Sequence, residues 1–191
     1  MNVTLRTNTH NTSPRKVAIR YIAIHYTAGT TSKKGSARNT ASWFANPKNT
    51  NGSADYIVDD AEIVRYNPNP KTRYTWAVGD KLKTTKGGGK WYGKCTNRNS
   101  ISVEICSSLK KGYVYAETPA NSQGWYFTDE VIANAVELVK ELMRIYNIPA
   151  SNVIRHYDVS GKKCPGIVGW NEDSGDTSAW VQFKKAIAGE I

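Results

Sequence analysis

The sequence predicts a single α/β domain with a central mixed β-sheet flanked by helices. Short runs rich in β-branched and aromatic residues alternate with segments of helical periodicity, and no internal repeat is visible. A chain of 191 residues is long enough for one well-packed domain, whereas two would be cramped. We therefore assign residues 1–191 to one domain, in which residues 1–14 form a polar N-terminal arm.

The predicted strands are short. Residues 17–26 (VAIRYIAIHY) are dense in β-branched and aromatic side chains, which predicts a buried strand that carries His25 near its C-terminal end. Residues 54–66 divide at an Asp-Asp pair into two apolar runs, which indicates a β-hairpin. The remaining predicted strands are residues 101–106 and 153–155.

Three segments predict helices: residues 36–45, residues 128–146 and Ser178–Ala188. The middle one is the clearest, because Thr128 can cap its N-terminus and two acidic residues follow where the helix dipole favours negative charge. Asn147 and Pro149 end it. Its apolar face recurs at helical spacing and consists of Ile132, Ala135, Val139, Leu142, Met143 and Tyr146.

The chain is strongly basic, with a formal net charge of +10. Such a charge favours anionic partners such as nucleic acid, acidic lipid or an anionic cell wall. Much of it lies in the loop-rich residues 68–100, where lysines alternate with glycines and aromatics. A solvated loop is the simpler interpretation, since a nucleic-acid patch usually lies on a regular element. The lysines concerned are Lys81, Lys83, Lys86, Lys90 and Lys94.

No apolar run is long enough to cross a bilayer, so no membrane insertion is expected. Residues 1–12 are polar and rich in Asn and Thr, which does not fit a secretory signal peptide. We expect a protein that is made in the cytoplasm and that either works there or leaves by a route its own sequence does not encode.

The cysteines do not predict a disulfide framework, because they number three and no signal peptide is recognised. Cys106 ends an apolar run and is most simply a small buried side chain. Cys95 lies among polar loop residues without an assignable role. A bridge between these two cysteines is the less favoured alternative.

The third cysteine belongs to the most informative segment, RHYDVSGKKCPG, which reads as short and irregular. It places His156 eight residues before Cys164, and His25 lies far upstream. Two histidines and one cysteine form a three-ligand set for zinc that leaves one coordination position open, as in catalytic zinc sites. Each residue also has a simpler interpretation, since a histidine at a strand end is often only hydrogen-bonded and a free cysteine is often only packed.

Four segments, in this order, resemble the zinc-dependent N-acetylmuramoyl-L-alanine amidases: YIAIHYTAG, SADYIVDD, NRNSISVEIC and VIRHYDVSGKKCPG. That family shares its fold with the peptidoglycan recognition proteins and the bacteriophage lysozyme-type amidases. The resemblance covers nearly the whole chain and implies a single catalytic amidase domain. It implies zinc held by His25, His156 and Cys164, and cleavage of the amide that joins N-acetylmuramic acid to L-alanine in bacterial peptidoglycan.

Two further residues are candidates for the chemistry. Amide hydrolysis needs a general base near the attacking water, and Glu104 interrupts an apolar strand where the resemblance places a catalytic glutamate. The alternative is that Glu104 lies on the solvent face of an alternating strand. Lys162 matches a lysine that stabilises the oxyanion in family members. Its neighbour Lys163 illustrates the alternative of a merely solvated lysine.

The sequence departs from the family pattern at two positions. Lysozyme-type members place a catalytic tyrosine two residues before the aromatic that is Tyr56 here, but this chain has Ala54 there. The role of that tyrosine is therefore absent or has passed to Glu104, and Tyr56 is expected in the core. Ala77 stands where many relatives carry a histidine, so the substrate contacts at that point are expected to differ.

We interpret the chain as a monomeric phage or prophage endolysin, or its catalytic domain alone, that acts on the cell wall after release, with a host autolysin as an alternative. Bacterial peptidoglycan is the expected partner, and no nucleic acid is expected. Two other functions stay open: a peptidoglycan-binding module without activity, and a basic nucleic-acid-binding protein with a structural zinc. The last requires a fourth protein ligand, for which the candidates are Cys95, Cys106 and His10.

Overall fold

The computed structural model describes residues 3–79 and 88–191. Of the basic segment, Lys81, Lys83 and Lys86 lie outside the described residues, so its interpretation as a solvated loop stays a prediction. Within the described ranges, no helix is long and apolar enough to cross a membrane.

The strands in chain order are β1 (Val3–Leu5), β2 (Thr12–Pro14), β3 (Tyr21–Tyr26), β4 (Tyr56–Val58), β5 (Ile63–Arg65), β6 (Arg73–Thr75), β7 (Ser100–Ile105), β8 (Ser108–Leu109), β9 (Trp125–Tyr126) and β10 (Val153–Arg155). The helices are α1 (Ser36–Phe44), α2 (Asp129–Tyr146), α3 (His156–Ser160) and α4 (Ser178–Ala188). Short 3₁₀ helices cover Asn97–Asn99, Tyr115–Glu117, Ala150–Asn152 and Glu172–Ser174.

A six-stranded mixed sheet forms the centre of the molecule, in the order β1-β5-β4-β7-β3-β10. The four strands β4, β7, β3 and β10 are mutually parallel, whereas β4 and β5 form the predicted antiparallel hairpin. Parallel strands end at the same edge of a sheet, so β3, β7 and β10 bring their carboxyl ends together.

Helices cover both faces of this sheet. On one face, Leu138 and Leu142 of α2 and Phe183 of α4 pack in one cluster with Ile22 and Ile101. On the other face, α1 packs through two alanines: the cluster contains Ala37, Ala41, Ile57, Val64, Tyr66 and Cys106. Because successive residues of a strand point to opposite faces, both clusters draw on the same short strands. The predicted α/β architecture is confirmed.

The predicted helices agree with the structure to within a residue or two at their ends, and the Thr128 side chain accepts a hydrogen bond from the backbone N–H of Val131. The predicted polar arm differs. Residues 3–5 of it form β1 on the edge of the central sheet, and residues 12–14 form β2, which pairs with β6. Strands of three residues are too short to show an alternating pattern, and their stability comes from the partner strand.

Both of the other cysteines are buried and free. Cys106 is the packed side chain that the sequence predicts. Cys95, which the sequence places among polar loop residues, instead packs in a small apolar cluster with Ala23, Val78 and Ile154. The polar neighbours of Cys95 in the sequence therefore did not reveal that its own side chain is buried.

Arg15 fastens the N-terminal strands to the sheet. Its buried guanidinium donates to the carbonyl oxygens of Pro70 at 2.7 Å and Ser100 at 2.8 Å, and also to that of Arg98. These carbonyls belong to the loop after β5, to the start of β7 and to the 3₁₀ helix just before β7. One side chain thus joins three segments that are distant in sequence.

We expect Arg15→Ala to lower the free energy of unfolding by about 2–4 kcal/mol, because buried carbonyls lose their donor. Urea unfolding followed by circular dichroism measures the change. Lys16→Ala is the matched control, since Lys16 is exposed, and it should change stability by less than about 0.5 kcal/mol. Equal stabilities of the two variants would contradict this role of Arg15.

Candidate functional site

Strand register brings two of the predicted site residues side by side. His25 lies at the carboxyl end of β3 and pairs in register with Glu104 of the neighbouring strand β7. On the other side of β3, Arg155 of β10 pairs with Ile24, so the chain enters α3 at His156 next to His25. The sheet edge therefore carries both histidines and the glutamate.

The sequence predicts an irregular segment after β10. This prediction is wrong for its first part, because residues His156–Ser160 form the short helix α3. This helix ends at Gly161, whose φ of 73° lets the chain reverse direction. The return is held by two backbone bonds: Cys164 N–H donates to the carbonyl of Lys162 at 2.7 Å, and the carbonyl of Cys164 accepts from Tyr157 N–H at 2.9 Å. The turn directs the thiol back towards the histidines.

The structure brings His25, His156 and Cys164 into one buried group. Their possible ligand atoms all lie within 4.8 Å of one another. The Sγ atom of Cys164 lies 3.8 Å from Nδ1 of His25, and the two imidazole centroids are 4.7 Å apart. The exposed fractions of the three residues are 2%, 7% and 4%. Nitrogen and sulfur donors at this separation form a group that could hold a metal ion.

Burial sets the charge state of this group. Loss of solvation, helped by the positive charge of Lys162, lowers the pKa of His156 to about 3 and lowers that of His25 well below its usual value. Both imidazoles are therefore neutral and keep a lone pair for ligation. Loss of solvation, followed by repulsion from Glu104, raises the pKa of Cys164 to about 12. A thiolate here requires a cation beside it.

The residues present fit a metal ion. The Nε2 atom of His25 is buried and has no hydrogen-bond partner among the described residues. The other candidate ligands do not join the group: His10 Nε2 is hydrogen-bonded to the Asn49 carbonyl at 2.8 Å, and Cys95 and Cys106 lie in separate apolar clusters. Within residues 3–79 and 88–191, the group has three protein ligands, which is the number found at catalytic zinc sites.

Glu104 faces this group rather than bulk solvent. Its Oε2 atom is buried and has no hydrogen-bond partner in the described part of the chain. Loss of solvation raises the pKa of Glu104 to about 8, although the positive charge of Lys162 opposes the rise. A carboxyl group with such a pKa can accept and release a proton near neutral pH.

A cleft of 530 Å³ opens above the group, and both Lys162 and Lys163 line it. A groove of 550 Å³ continues from it past Glu104 towards α1. Two aromatic residues that the sequence patterns do not single out, Trp43 and Trp76, lie on the cleft wall and are 52% and 43% exposed. Their position could not be found from the pattern, since an exposed tryptophan and a packed one look alike in a sequence.

The departures from the family pattern fall in different environments. Ala54 is fully buried, and Tyr56 belongs to the main core as predicted. Ala77 lines the cleft, so the difference at this position alters the cleft surface itself.

Comparisons with known proteins agree with this geometry. The Amidase_2 family, described as N-acetylmuramoyl-L-alanine amidase, matches residues 14–167. CwlH of Bacillus subtilis (strain 168), an N-acetylmuramoyl-L-alanine amidase, is 34% identical over 145 residues, which are 76% of this chain and 46% of CwlH.

Two solved structures are similar over almost their whole length. The catalytic domain of XlyA gives a TM-score of 0.66 at 27% identity, with 98% of this chain and 99% of that chain covered. A mutant endolysin from Bacillus subtilis also gives 0.66, at 28% identity, with 97% and 98% covered. The chain spans less than half the length of the curated relatives CwlH and XlyA, 46% and 44% respectively. Since the family match extends over most of its residues, the chain belongs to the Amidase_2 family of N-acetylmuramoyl-L-alanine amidases.

Proposed function

We propose that this protein is a zinc-dependent amidase that hydrolyses the bond between N-acetylmuramic acid and L-alanine in bacterial peptidoglycan. The observation that carries the proposal is the meeting of His25, His156 and Cys164 beneath an open cleft, with Glu104 beside them. The relative CwlH is an N-acetylmuramoyl-L-alanine amidase, which supports the same reaction for this chain.

In this proposal, His25, His156 and Cys164 hold the zinc ion. Zinc, when bound, supplies Lewis-acid polarisation of the substrate carbonyl and lowers the pKa of water to about 7. The three residues fix the position of that chemistry at the cleft floor, and their burial excludes competing solvent from the ligand atoms.

Glu104 is proposed as the general base and then the general acid. It takes a proton from the attacking water as the water oxygen bonds to the carbonyl carbon. It then delivers the proton to the nitrogen of L-alanine as the carbon–nitrogen bond breaks. A raised pKa suits both steps, since a carboxyl group must hold the proton between them.

Lys162 is proposed to stabilise the negative charge that develops on the carbonyl oxygen. Its charge acts on each member of the site: it adds to the lowering of the pKa of His25 and His156 by burial, and it opposes the raising of the pKa of Glu104 and Cys164 by burial. Lys163 lines the same cleft, but its charge contributes to none of these four shifts. This difference favours Lys162 for the role.

We further propose that the protein acts on the cell wall as an endolysin and works as a monomer. The similarity to a solved endolysin structure supports the first point. The net charge of +10 suits attraction to an anionic wall.

The proposed reaction is tested by mass spectrometry of peptidoglycan digested with the zinc-loaded protein. We expect new L-alanine N-termini together with intact glycan strands. Chelation should abolish digestion, and added zinc should restore it.

The variant Cys164→Ser should lose both bound zinc and activity. The variant Cys106→Ala changes a cysteine outside the ligand group and should keep both.

Two outcomes would contradict the proposal. Cleavage within the sugar chain or the cross-bridge would exclude the amidase reaction. Binding to walls without any cleavage would identify a peptidoglycan-binding module instead.

Glu104→Gln should lower kcat by about 10²–10⁴-fold, because the amide cannot take the proton. The zinc content of the variant should equal that of the wild type, since Glu104 is not one of the proposed ligands. Metal analysis and steady-state kinetics on the same preparation test both parts. A variant with full zinc and full activity would remove Glu104 from the mechanism.

Lys162→Ala should lower kcat by about 10²–10³-fold, with a smaller change in KM, because the charge is needed mainly in the transition state. Lys163→Ala is the matched control, since both lysines are exposed and adjacent. It should retain nearly full activity. Similar losses in the two variants would show that the cleft needs only positive charge in general.

A further inference from the structure

An ion pair between buried Arg155 and half-buried Asp158 spans the first turn of α3, the helix that begins with His156. The guanidinium of Arg155 donates to the carboxylate of Asp158 twice, from Nε at 3.0 Å and from Nη2 at 2.5 Å. The same carboxylate accepts the backbone N–H of Arg155 at 2.8 Å. The three bonds join the residue before His156 to the second residue after it, and therefore fix the backbone on both sides of this histidine.

The guanidinium of Arg155 is itself held from several directions. It donates to the carbonyl of Trp170 at 2.9 Å and to the carboxylate of Glu172 at 3.0 Å. It also lies 5.3 Å from the ring centroid of Tyr157 and 5.2 Å from that of Trp180. With 3% of its surface exposed, Arg155 cannot move without breaking this network.

Backbone groups of the lysine- and glycine-rich segment hold the helix from another direction. Gly89 N–H donates to the carbonyl of Val159 at 3.0 Å, and Trp91 N–H donates to that of Asp158 at 2.8 Å. The approach is so close that a Cβ atom on Gly89 would lie 2.3 Å from the Asp158 carbonyl oxygen. The helix is therefore fixed both by the Arg155 network and by this segment.

Movement of α3 would displace two of the three proposed ligands. His156 is its first residue, and Tyr157 N–H donates to the carbonyl of Cys164 at 2.9 Å. The hydroxyl of Tyr157 in turn donates to Asp173 at 3.0 Å. The position of the Cys164 thiol therefore depends on the same turn of α3 that carries the imidazole of His156.

We propose that Arg155 and Asp158 are positioning residues, which hold His156 and Cys164 at the separation from His25 that zinc binding requires. The inference rests on the proposed function for the identity of the metal. Hydrogen-bonded groups that orient metal ligands typically contribute about 10–100-fold to metal affinity. Neither residue touches the substrate in this proposal.

Asp158→Asn should weaken zinc binding about 10–100-fold, as measured by competition with a chromophoric chelator. The Co²⁺-substituted variant should also show altered ligand-field and thiolate absorption bands. Glu141→Gln is the matched control. Glu141 forms the same kind of paired contact with an arginine three residues away, at 2.8 Å and 2.7 Å, on the exposed face of α2. This variant should bind zinc as the wild type does.

Leu138→Ala separates positioning from general stability. It removes a fully buried core side chain, which costs about 2–5 kcal/mol, but leaves the α3 contacts intact. As long as it stays folded, its zinc affinity should equal that of the wild type.

Arg155→Lys provides a second variant of the ion pair between Arg155 and Asp158, because lysine keeps the charge but cannot make the paired contact. It should also weaken zinc binding and alter the Co²⁺ spectrum.

The proposal is overturned if folded Asp158→Asn or Arg155→Lys protein keeps wild-type zinc affinity and an unchanged Co²⁺ spectrum. It is also overturned if Leu138→Ala loses as much affinity as they do, or if the wild type binds no zinc. None of these measurements uses substrate. A wild type that binds zinc without cleaving peptidoglycan would therefore refute the proposed function while leaving this inference supported by its own result.

Discussion

The parallel register of β3, β7 and β10 is the constraint on which the site depends. It ends three strands at one edge of the sheet, so that His25 lies beside Glu104 on one side and beside the start of α3 on the other. A shift of one residue in either pairing would turn a functional side chain to the opposite face. The packed clusters on both faces of the sheet, together with the Arg15 contacts, stabilise the fold in which this register occurs.

Burial of the site disfavours the charged forms of its ionisable groups. Loss of solvation opposes charge on His25, His156, Cys164 and Glu104 alike. The exposed ammonium of Lys162 is a positive charge that acts on all four. A bound cation is the natural complement to such a group, because it allows the thiolate and the carboxylate to exist together in a buried place.

Sequence patterns predicted the larger elements well and the smaller ones poorly. The periodicity and the Thr128 cap of α2 are local signals, and the structure contains that helix with the expected cap. Strands β1, β2 and β6 had no such signal, since each consists of three residues and exists by pairing with a distant segment. The short helix α3 was missed for a related reason: its five residues are held by Arg155 and by Gly89, and not by helical periodicity.

The sequence by itself identified the candidate groups of the site, namely two imidazoles, a thiol, a carboxylate and two lysines in segments that resemble one family. Only the tertiary structure decided which of these meet. His25 and Cys164 are separated by 139 residues, and their 3.8 Å contact follows from parallel pairing and the turn after α3. Such distances are set by long-range packing, because the pattern within one strand does not identify its partner strand, and the register of a pair depends on both of its strands.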